Sequence, residues 1–351
     1  MPSITLLYGQ WGTNIGNAFF NVGGTYILQT AFPNAKLSFI SDVANHLLPW
    51  AQQGSKKVSH DAEIQSRLKT DYLVLQGPIF SPQINRIYGD VIAKLRAQGT
   101  RIILLSVGMN TYSPEEIAAG KRFLANTDPV FMVTRDTPTY EAFKQDVANI
   151  HCGIDSAFFC PRAYTPASMP APFFCMACDQ TAEPRLLSTA GHAQPSDRTV
   201  KLGANTYTLR QASKTQRWLR SHSRATKLLH SLWPQRLPSQ MGDFAIIRPV
   251  HKTNPMIRSW VYRNPQTHAS DEPYSYLTLY SNAALTITDR VHAAVATLAY
   301  GRPAIFLGAT KRSALLDRVA TKTDDTLTLN PTSLLEMQNA EIDFIRGQRV
   351  D

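Results

Sequence analysis

The chain of 351 residues contains few cysteines and no long apolar segment. A helix that spans a bilayer needs about 20 consecutive apolar residues, and no run of that length is present. The first residues show no charged segment followed by a long apolar one, so we expect no signal peptide. Four cysteines are too few for a disulfide framework in a chain of this length. These features predict a cytoplasmic, globular protein with room for two domains.

Acidic residues are missing between Asp197 and Asp243, and the net charge of +10 is concentrated there. Nine basic residues fall in this interval: Arg198, Lys201, Arg210, Lys214, Arg217, Arg220, Arg224, Lys227 and Arg236. Because little net charge is left for the rest of the chain, we expect no nucleic-acid partner. A basic amphipathic helix is predicted over 211–233. Such a helix could make peripheral contact with the inner face of an anionic membrane, or it could be an ordinary solvated surface helix. The sequence leaves both alternatives open.

The first 160 residues alternate between apolar, strand-like runs and helix-like patterns. Strands are predicted at 4–8, 37–40, 72–76, 101–107, 130–134 and 149–152. Helices are predicted at 17–30, 43–52, 82–98, 114–125 and 138–146. Apolar strands separated by helices are typical of a parallel sheet covered on both faces, so we expect a Rossmann-like domain over residues 1–160.

A proline-rich segment divides the chain. Prolines at positions 161, 166, 170 and 172 cannot continue a helix or a central strand, so residues 161–174 are predicted to be a linker. Residues 175–351 again alternate between strands and helices, with a basic insertion at 198–236. The predicted fold class is therefore α/β, with two Rossmann-like domains in a GT-B-like arrangement and a ligand cleft between them.

Cys175 and Cys178 form a Cys-x-x-Cys pair within an apolar run. Such a pair can bind zinc or carry redox chemistry, with Cys152 and Cys160 as candidate partners. The spacing of the four cysteines is not that of a zinc ribbon or finger. We therefore expect buried, unreactive thiols and no metal site.

Small and polar residues follow several strands of the predicted first domain. Asn14 and Gly16 come after the first strand, and Ser106 and Gly108 come at the end of the fourth. Ligands bind beyond the carboxyl ends of the strands in open α/β sheets, so these four are candidate substrate-binding residues. The alternative is that each glycine only fits a tight turn, since no GxGxxG or P-loop motif is present.

Residues 284–308 predict a strand–helix–strand unit with Arg290 and His292 at the start of the helix. Asp289 is a candidate N-cap residue. A helix N-terminus attracts anions through its free N–H groups and its dipole. Arg248, at the end of an earlier strand, and Lys311, after the next strand, are further candidate anion ligands. The alternative is that these side chains are ordinary surface charges and that His292 is a hydrogen-bonded turn residue.

The segments 288–294 and 301–303, read as TDRVHAA and GRP, resemble the polysaccharide pyruvyl transferase family. That family carries an R-[LV]-H-[AS] signature, an apolar helix and a G-x-P turn. Similar segments occur at 12–16, 106–108, 135–136 and 155–158. The chain departs from the family pattern at Asn17, where an Asp is usual, and at 76–78, where more glycines are usual.

The resemblance implies a transferase that moves the enolpyruvyl group of phosphoenolpyruvate onto a sugar of a polysaccharide or of its lipid-linked precursor, where it forms a pyruvate ketal. Phosphoenolpyruvate would be a co-substrate, and no other cofactor is expected. Arg290 would bind the anion with Arg248 as companion, and His292 would act as general acid and base. The first domain is expected to hold the acceptor and the second the donor.

Two other functions stay open at this point. A GT-B glycosyltransferase that uses a nucleotide sugar could hold a diphosphate at the same helix start, with Asp317 as the one candidate carboxylate for its ribose or base. A basic membrane-surface scaffold without enzyme activity could use the stretch 198–236.

Overall fold

The computed structural model describes residues 1–9, 14–42, 64–179, 181–187, 197–202, 205–216, 237–251, 264–308 and 310–348. The helix predicted at 43–52 lies outside the described residues, as does the helix predicted at 211–233 except for its first six residues. Within the described ranges, every helix is too short or too polar to cross a membrane.

The first sheet has six parallel strands in the order β2-β1-β3-β4-β5-β6. The strands are β1 (Ser3–Tyr8), β2 (Lys36–Ser41), β3 (Tyr72–Phe80), β4 (Arg101–Met109), β5 (Phe131–Thr134) and β6 (Ile150–Cys152). The helices between them are α1 (Gly16–Ala31), α2 (Ile84–Ala97), α3 (Pro114–Thr127) and α4 (Thr137–Phe143). The six predicted strands are thus confirmed, and β3 and β4 run further than expected.

The apolar runs of these strands are explained by burial on both faces. Successive side chains of a strand point to opposite faces. In β4, Ile103 and Leu105 belong to the core on one side of the sheet, whereas Ile102 and Leu104 belong to the core on the other side. Because the six strands are parallel, their carboxyl ends lie along one edge of the sheet.

The second sheet has the order β11-β12-β7-β14-β15-β17-β16, and β13 pairs with β12. Its strands are β7 (Phe173–Ala177), β11 (Gln240–Met241), β12 (Phe244–Pro249), β13 (Thr267–His268), β14 (Leu285–Thr288), β15 (Ala304–Phe306), β16 (Ala320–Thr323) and β17 (Thr326–Leu329). The strands β12, β7, β14 and β15 are parallel, and β17 and β16 continue the sheet as an antiparallel hairpin. Helices α5 (Cys160–Ala163), α6 (Pro273–Asn282), α7 (Val291–Ala299), α8 (Ala314–Asp317) and α9 (Pro331–Arg346) complete this half. The proline-rich segment 161–174 thus starts inside α5 and ends inside β7.

A small antiparallel sheet occupies the beginning of the basic insertion. It consists of β8 (Arg185–Leu187), β9 (Arg198–Leu202) and β10 (Asn205–Arg210) in the order β8-β10-β9. Among the described residues, three cations of the stretch are paired with carboxylates. Arg198 and Lys201 lie within 4.0 Å of the carboxylates in the β16–β17 turn, and Arg210 lies 2.9 Å from Asp197. These three charges therefore support the fold, and contact of the stretch with a membrane stays a prediction.

The last helix, α9, packs against the first sheet. The buried carboxylate of Glu341 accepts a hydrogen bond of 2.9 Å from the backbone N–H of Ile154, and Gln338 donates one of 2.8 Å to the carbonyl of Phe158. The side chain of Phe344 stacks on His151. The end of the chain thus fixes residues 154–158, which follow β6 and reach the site described below.

Glu341→Gln is expected to stabilise the protein increasingly between pH 4.5 and 8. Burial raises the pKa of Glu341 from 4.5 to about 8. In this window the unfolded carboxyl ionises while the folded one keeps its proton, so wild-type stability falls by up to about 1.4 kcal/mol per pH unit. Glutamine keeps the acceptor for Ile154 and does not titrate. Urea unfolding at pH 5 and pH 8 measures the difference. The exposed Glu336 of the same helix, changed to Gln, is the control, and equal pH profiles for wild type and Glu341→Gln would contradict the prediction.

Candidate functional site

Helix α7 begins without a side-chain cap. Its N-cap residue is Arg290, so the prediction that Asp289 caps the helix is wrong. The Asp289 carboxylate instead accepts hydrogen bonds from the backbone N–H groups of Asp179 and Thr181, at 3.0 and 2.6 Å, and from the Thr181 hydroxyl. It holds the loop after β7 in place. The first residues of α7, Val291 and His292, line the cleft described next, where the N-terminus of the helix would stabilise an anion.

A small cleft, open to solvent, lies at this helix start. It is lined by Asn14, His251, Asp289, Arg290, Val291, His292, Phe306, Thr310 and Arg312. Asn14 follows the first strand of the first sheet, and the other residues belong to the second half of the chain. The cleft therefore lies between the two sheets, as the sequence predicted.

Arg290 is positioned by both halves of the chain. Its Nη2 donates a 2.7 Å hydrogen bond to Asn14 Oδ1, and its Nε lies 3.9 Å from Asp179 Oδ2. Asn14 in turn donates from Nδ2 to Asn17 Oδ1 at 2.9 Å. Asn17, which departs from the family pattern, thus supports the residue that holds Arg290. The predicted pair Arg290 and Asn14 is brought together in the cleft.

His292 is buried, and its two ring nitrogens face different surroundings. Nε2 lies 3.5 Å from Asp155 Oδ2, longer than an ordinary hydrogen bond. Nδ1 lies 3.1 Å from the point where a Cβ on Gly16 would stand, so a side chain at position 16 would press on the ring, and His292 itself lines the cleft. Burial lowers the pKa of His292, and the carboxylate of Asp155 partly offsets this. His292 is therefore mainly neutral near pH 7.

Asp155 joins His292 to a buried arginine. Arg135 is 1% exposed, and its Nη1 lies 3.2 Å from Asp155 Oδ2. Burial acts to raise the pKa of Asp155, but His292 and Arg135 outweigh it and hold this pKa at about 2. Gly108 makes room for the guanidinium, because a Cβ there would lie 2.5 Å from Arg135 Nε. Arg135 Nε and Nη2 have no hydrogen-bond partner among the described residues.

Arg312 brings a third guanidinium to the same place. Burial, followed by the nearby Arg135 and Arg290, lowers its pKa to about 10. Burial and the two neighbouring guanidinium groups disfavour further positive charge at this position, so a bound anion would be stabilised there. The sequence pointed instead to the neighbouring Lys311, which is exposed and is not among the described residues that line the cleft.

Two other predicted binding residues have structural partners. Arg248 is buried in a bidentate pair with Glu183, at 2.8 Å for both hydrogen bonds, and also donates to the carbonyl of Pro238. Ser106 accepts a 2.8 Å hydrogen bond from the backbone N–H of Ser156 and so braces the segment that carries Asp155. Neither lies among the described residues that line the cleft. The strand end of Arg248 contributes His251 to the cleft instead.

The four cysteines are free thiols. Burial raises the pKa of Cys160 and of Cys175, which keeps both protonated near pH 7. In the part of the chain that the structure describes, no cluster of three or more His, Cys, Asp and Glu side chains is arranged to hold a metal ion.

The arrangement as a whole combines anion binding with proton transfer. The two guanidinium groups of the cleft, on Arg290 and Arg312, and an uncapped helix start suit a ligand with more than one negative group. A neutral histidine can take up and return a proton at one ring nitrogen while an ionised carboxylate faces the other.

Comparison with known proteins identifies relatives of the chain. The model of the polysaccharide pyruvyl transferase family matches residues 14–310. MnaA of S. aureus, in a structure with UDP, superposes with a TM-score of 0.54 at 10% identity, over 99% of this chain and 91% of that chain. A protein of Listeria monocytogenes, assigned as a UDP-N-acetylglucosamine 2-epimerase, superposes with a TM-score of 0.52 at 11% identity, over 99% and 91% of the two chains. No protein with a curated description matches this sequence. The structural matches confirm the GT-B-like α/β fold and carry no conclusion about the ligand.

Proposed function

Because the chain belongs to the polysaccharide pyruvyl transferase family, we propose that it transfers the enolpyruvyl group of phosphoenolpyruvate to a sugar of a polysaccharide or of a lipid-linked precursor. The observation that carries this proposal is that Arg290 and Arg312 line the cleft together with His292. Phosphoenolpyruvate carries a phosphate and a carboxylate on the same carbon atom. Each group matches the two-pronged geometry of a guanidinium, and together they need several cations.

The reaction conserves protons if one group shuttles them. When the first sugar hydroxyl adds, a C–O bond forms at the carbon that bears the phosphate. The hydroxyl loses a proton and the methylene carbon gains one, so the number of protons is unchanged. The second hydroxyl then forms the other C–O bond of the ketal. Phosphate leaves with the electrons of the broken C–O bond and takes up the second hydroxyl proton.

His292 is the group that we assign to the first proton transfer. With Asp155 ionised behind Nε2, the neutral ring carries its proton on Nε2 and a lone pair on Nδ1. Nδ1 accepts the hydroxyl proton, and the resulting imidazolium, stabilised by Asp155, returns it to the methylene carbon. Arg290 and Arg312 then stabilise the departing phosphate.

The glycosyltransferase alternative is weaker in this site. Asp317, its candidate carboxylate, is exposed at the end of α8 and is not among the described residues of the cleft. A thermal-shift screen of phosphoenolpyruvate against nucleotide sugars separates the two functions. We expect stabilisation by phosphoenolpyruvate and a smaller shift in Arg290→Lys, because lysine lacks the bidentate geometry. Stabilisation by a nucleotide sugar alone would overturn the proposal, and no shift with any of these ligands would favour the scaffold.

A further inference from the structure

We propose that His251 binds the donor anion as an uncharged hydrogen-bond donor through Nδ1–H, and that Tyr280 is the positioning residue that fixes this tautomer. The proposal rests on the function proposed above. It assigns the two histidines of the cleft different roles.

The backbone holds His251 in the cleft from two sides. Its N–H donates a 3.0 Å hydrogen bond to Asp179 Oδ2, and its carbonyl accepts one of 2.9 Å from the N–H of Ile15. The side chain is packed edge-on against the rings of Phe19 and Tyr276. The residue is 1% exposed, and it lines the cleft beside Arg290. Its ring therefore has little freedom to turn.

Hydrogen-bond accounting fixes the proton of the ring. Nε2 lies 2.5 Å from the hydroxyl of Tyr280, which is itself fully buried. A buried phenol needs an acceptor for its O–H, and Nε2 is the acceptor that the described residues offer. If the phenol donates, Nε2 carries the lone pair and Nδ1 carries the proton. Nδ1 has no partner among the described residues.

The ring is also uncharged. Burial, then the neighbouring Arg290 and His292, hold the pKa of His251 well below its usual range. His251 thus adds a hydrogen-bond donor to a cleft that already holds the guanidinium groups of Arg290 and Arg312, without adding another positive charge.

Both histidines line the cleft, and Gly16 packs against both rings. A Cβ on Gly16 would lie 3.1 Å from Nδ1 of His292 and 3.3 Å from Nδ1 of His251, so a side chain at position 16 would press on both. His251 cannot take the hydroxyl proton, because its Nδ1 is already protonated and its Nε2 is occupied by Tyr280. The proton transfer consequently falls to His292, and His251 binds.

Two substitutions at position 251 separate hydrogen bonding from packing. The amide of His251→Asn places an N–H close to the position of Nδ1, whereas His251→Phe keeps the ring shape alone. In calorimetric titrations with phosphoenolpyruvate we expect the affinity of His251→Asn to lie within about threefold of that of the wild type. For His251→Phe we expect the affinity to fall by about 10- to 100-fold, the usual range for a hydrogen bond to a charged group. His268→Phe is the matched control, since His268 bonds Ser275 and lies outside the cleft, and it should bind like wild type. Equal losses of affinity in His251→Asn and His251→Phe, or no loss in His251→Phe, would overturn the proposal.

The ring nitrogens can also be observed directly. In ¹⁵N–¹H correlation spectra of the wild-type protein we expect the proton of His251 on Nδ1, and a mixture of tautomers in Tyr280→Phe. A proton on Nε2 in the wild type would overturn the proposal whatever the binding data show. Inorganic phosphate serves as a second titrant: if it binds and loses affinity in His251→Phe while phosphoenolpyruvate does not bind, the anion role stands and the proposed function fails.

Discussion

His292→Ala is expected to lower kcat for pyruvyl transfer by at least about 100-fold, the usual contribution of a general acid or base. The physical reason is that no other group of the described cleft offers a free ring lone pair to the acceptor hydroxyl. Binding of phosphoenolpyruvate should change by only a few fold, because the guanidinium groups that hold the anion are untouched. Steady-state kinetics together with a binding titration separate these two effects.

His151→Ala is the matched control for this variant. His151 stacks on Phe344, away from the described cleft, and its removal should leave kcat unchanged. Near-full activity of His292→Ala would show that the proton passes through another group, and the mechanism proposed for His292 would be wrong.

Asp155→Ala is expected to destabilise the protein by about 3–5 kcal/mol and to remove nearly all activity. The substitution leaves the guanidinium of Arg135 buried without its carboxylate, and an arginine cannot escape this cost by losing its proton. It also removes the group that orients His292. Denaturant unfolding measures the first effect and the rate of phosphate release measures the second.

A double variant separates the two consequences of this change. In Asp155→Ala with Arg135→Met, both charges are gone, so most of the lost stability should return while activity should not. Glu141→Ala, which breaks an exposed pair with Lys144, is the control and should cost at most about 1 kcal/mol. Stability of Asp155→Ala equal to that of wild type would contradict the account of the buried pair.

Much of the fold was predictable because its elements have strong local patterns. Strands such as β4 are buried on both faces, so they appear as unbroken apolar runs, and the polar turns between elements are equally visible. The small sheet at 185–210 was not predicted. Its strands are short, partly exposed and rich in polar residues. The alternation in β10, where Tyr207 and Leu209 are buried between more exposed neighbours, is a strand signal, but it is too short to predict a sheet by itself.

The site was predictable only in part, because partners distant in sequence decide what a charged side chain does. Arg248 was expected to bind an anion, but Glu183 already neutralises it. Asp289 has the right position for a helix cap, yet the loop after β7 uses both of its oxygens. Choosing between Lys311 and Arg312 required the geometry of the 3₁₀ turn Lys311–Ser313. No local pattern contains this information.

The sequence carries a signal for Arg135 and Asp155. Both lie in segments that resemble the family, and Arg135 directly follows a strand that is fully buried. An arginine at such a position must find a buried partner, which is a reason to seek a carboxylate and a ligand beside it. His251 had a weaker signal, since a histidine at a strand end is equally compatible with a structural role.

The most direct test follows both parts of the donor in one reaction. Phosphoenolpyruvate labelled at carbon and at phosphorus is incubated with the purified protein and with the polysaccharide and lipid-linked sugar fractions of the cells that make it. We expect one inorganic phosphate to be released for each labelled pyruvyl group that becomes bound to sugar. With His292→Ala we expect neither product. Carbon label that appears only as free pyruvate, or an intact donor while a nucleotide sugar is consumed, would contradict it.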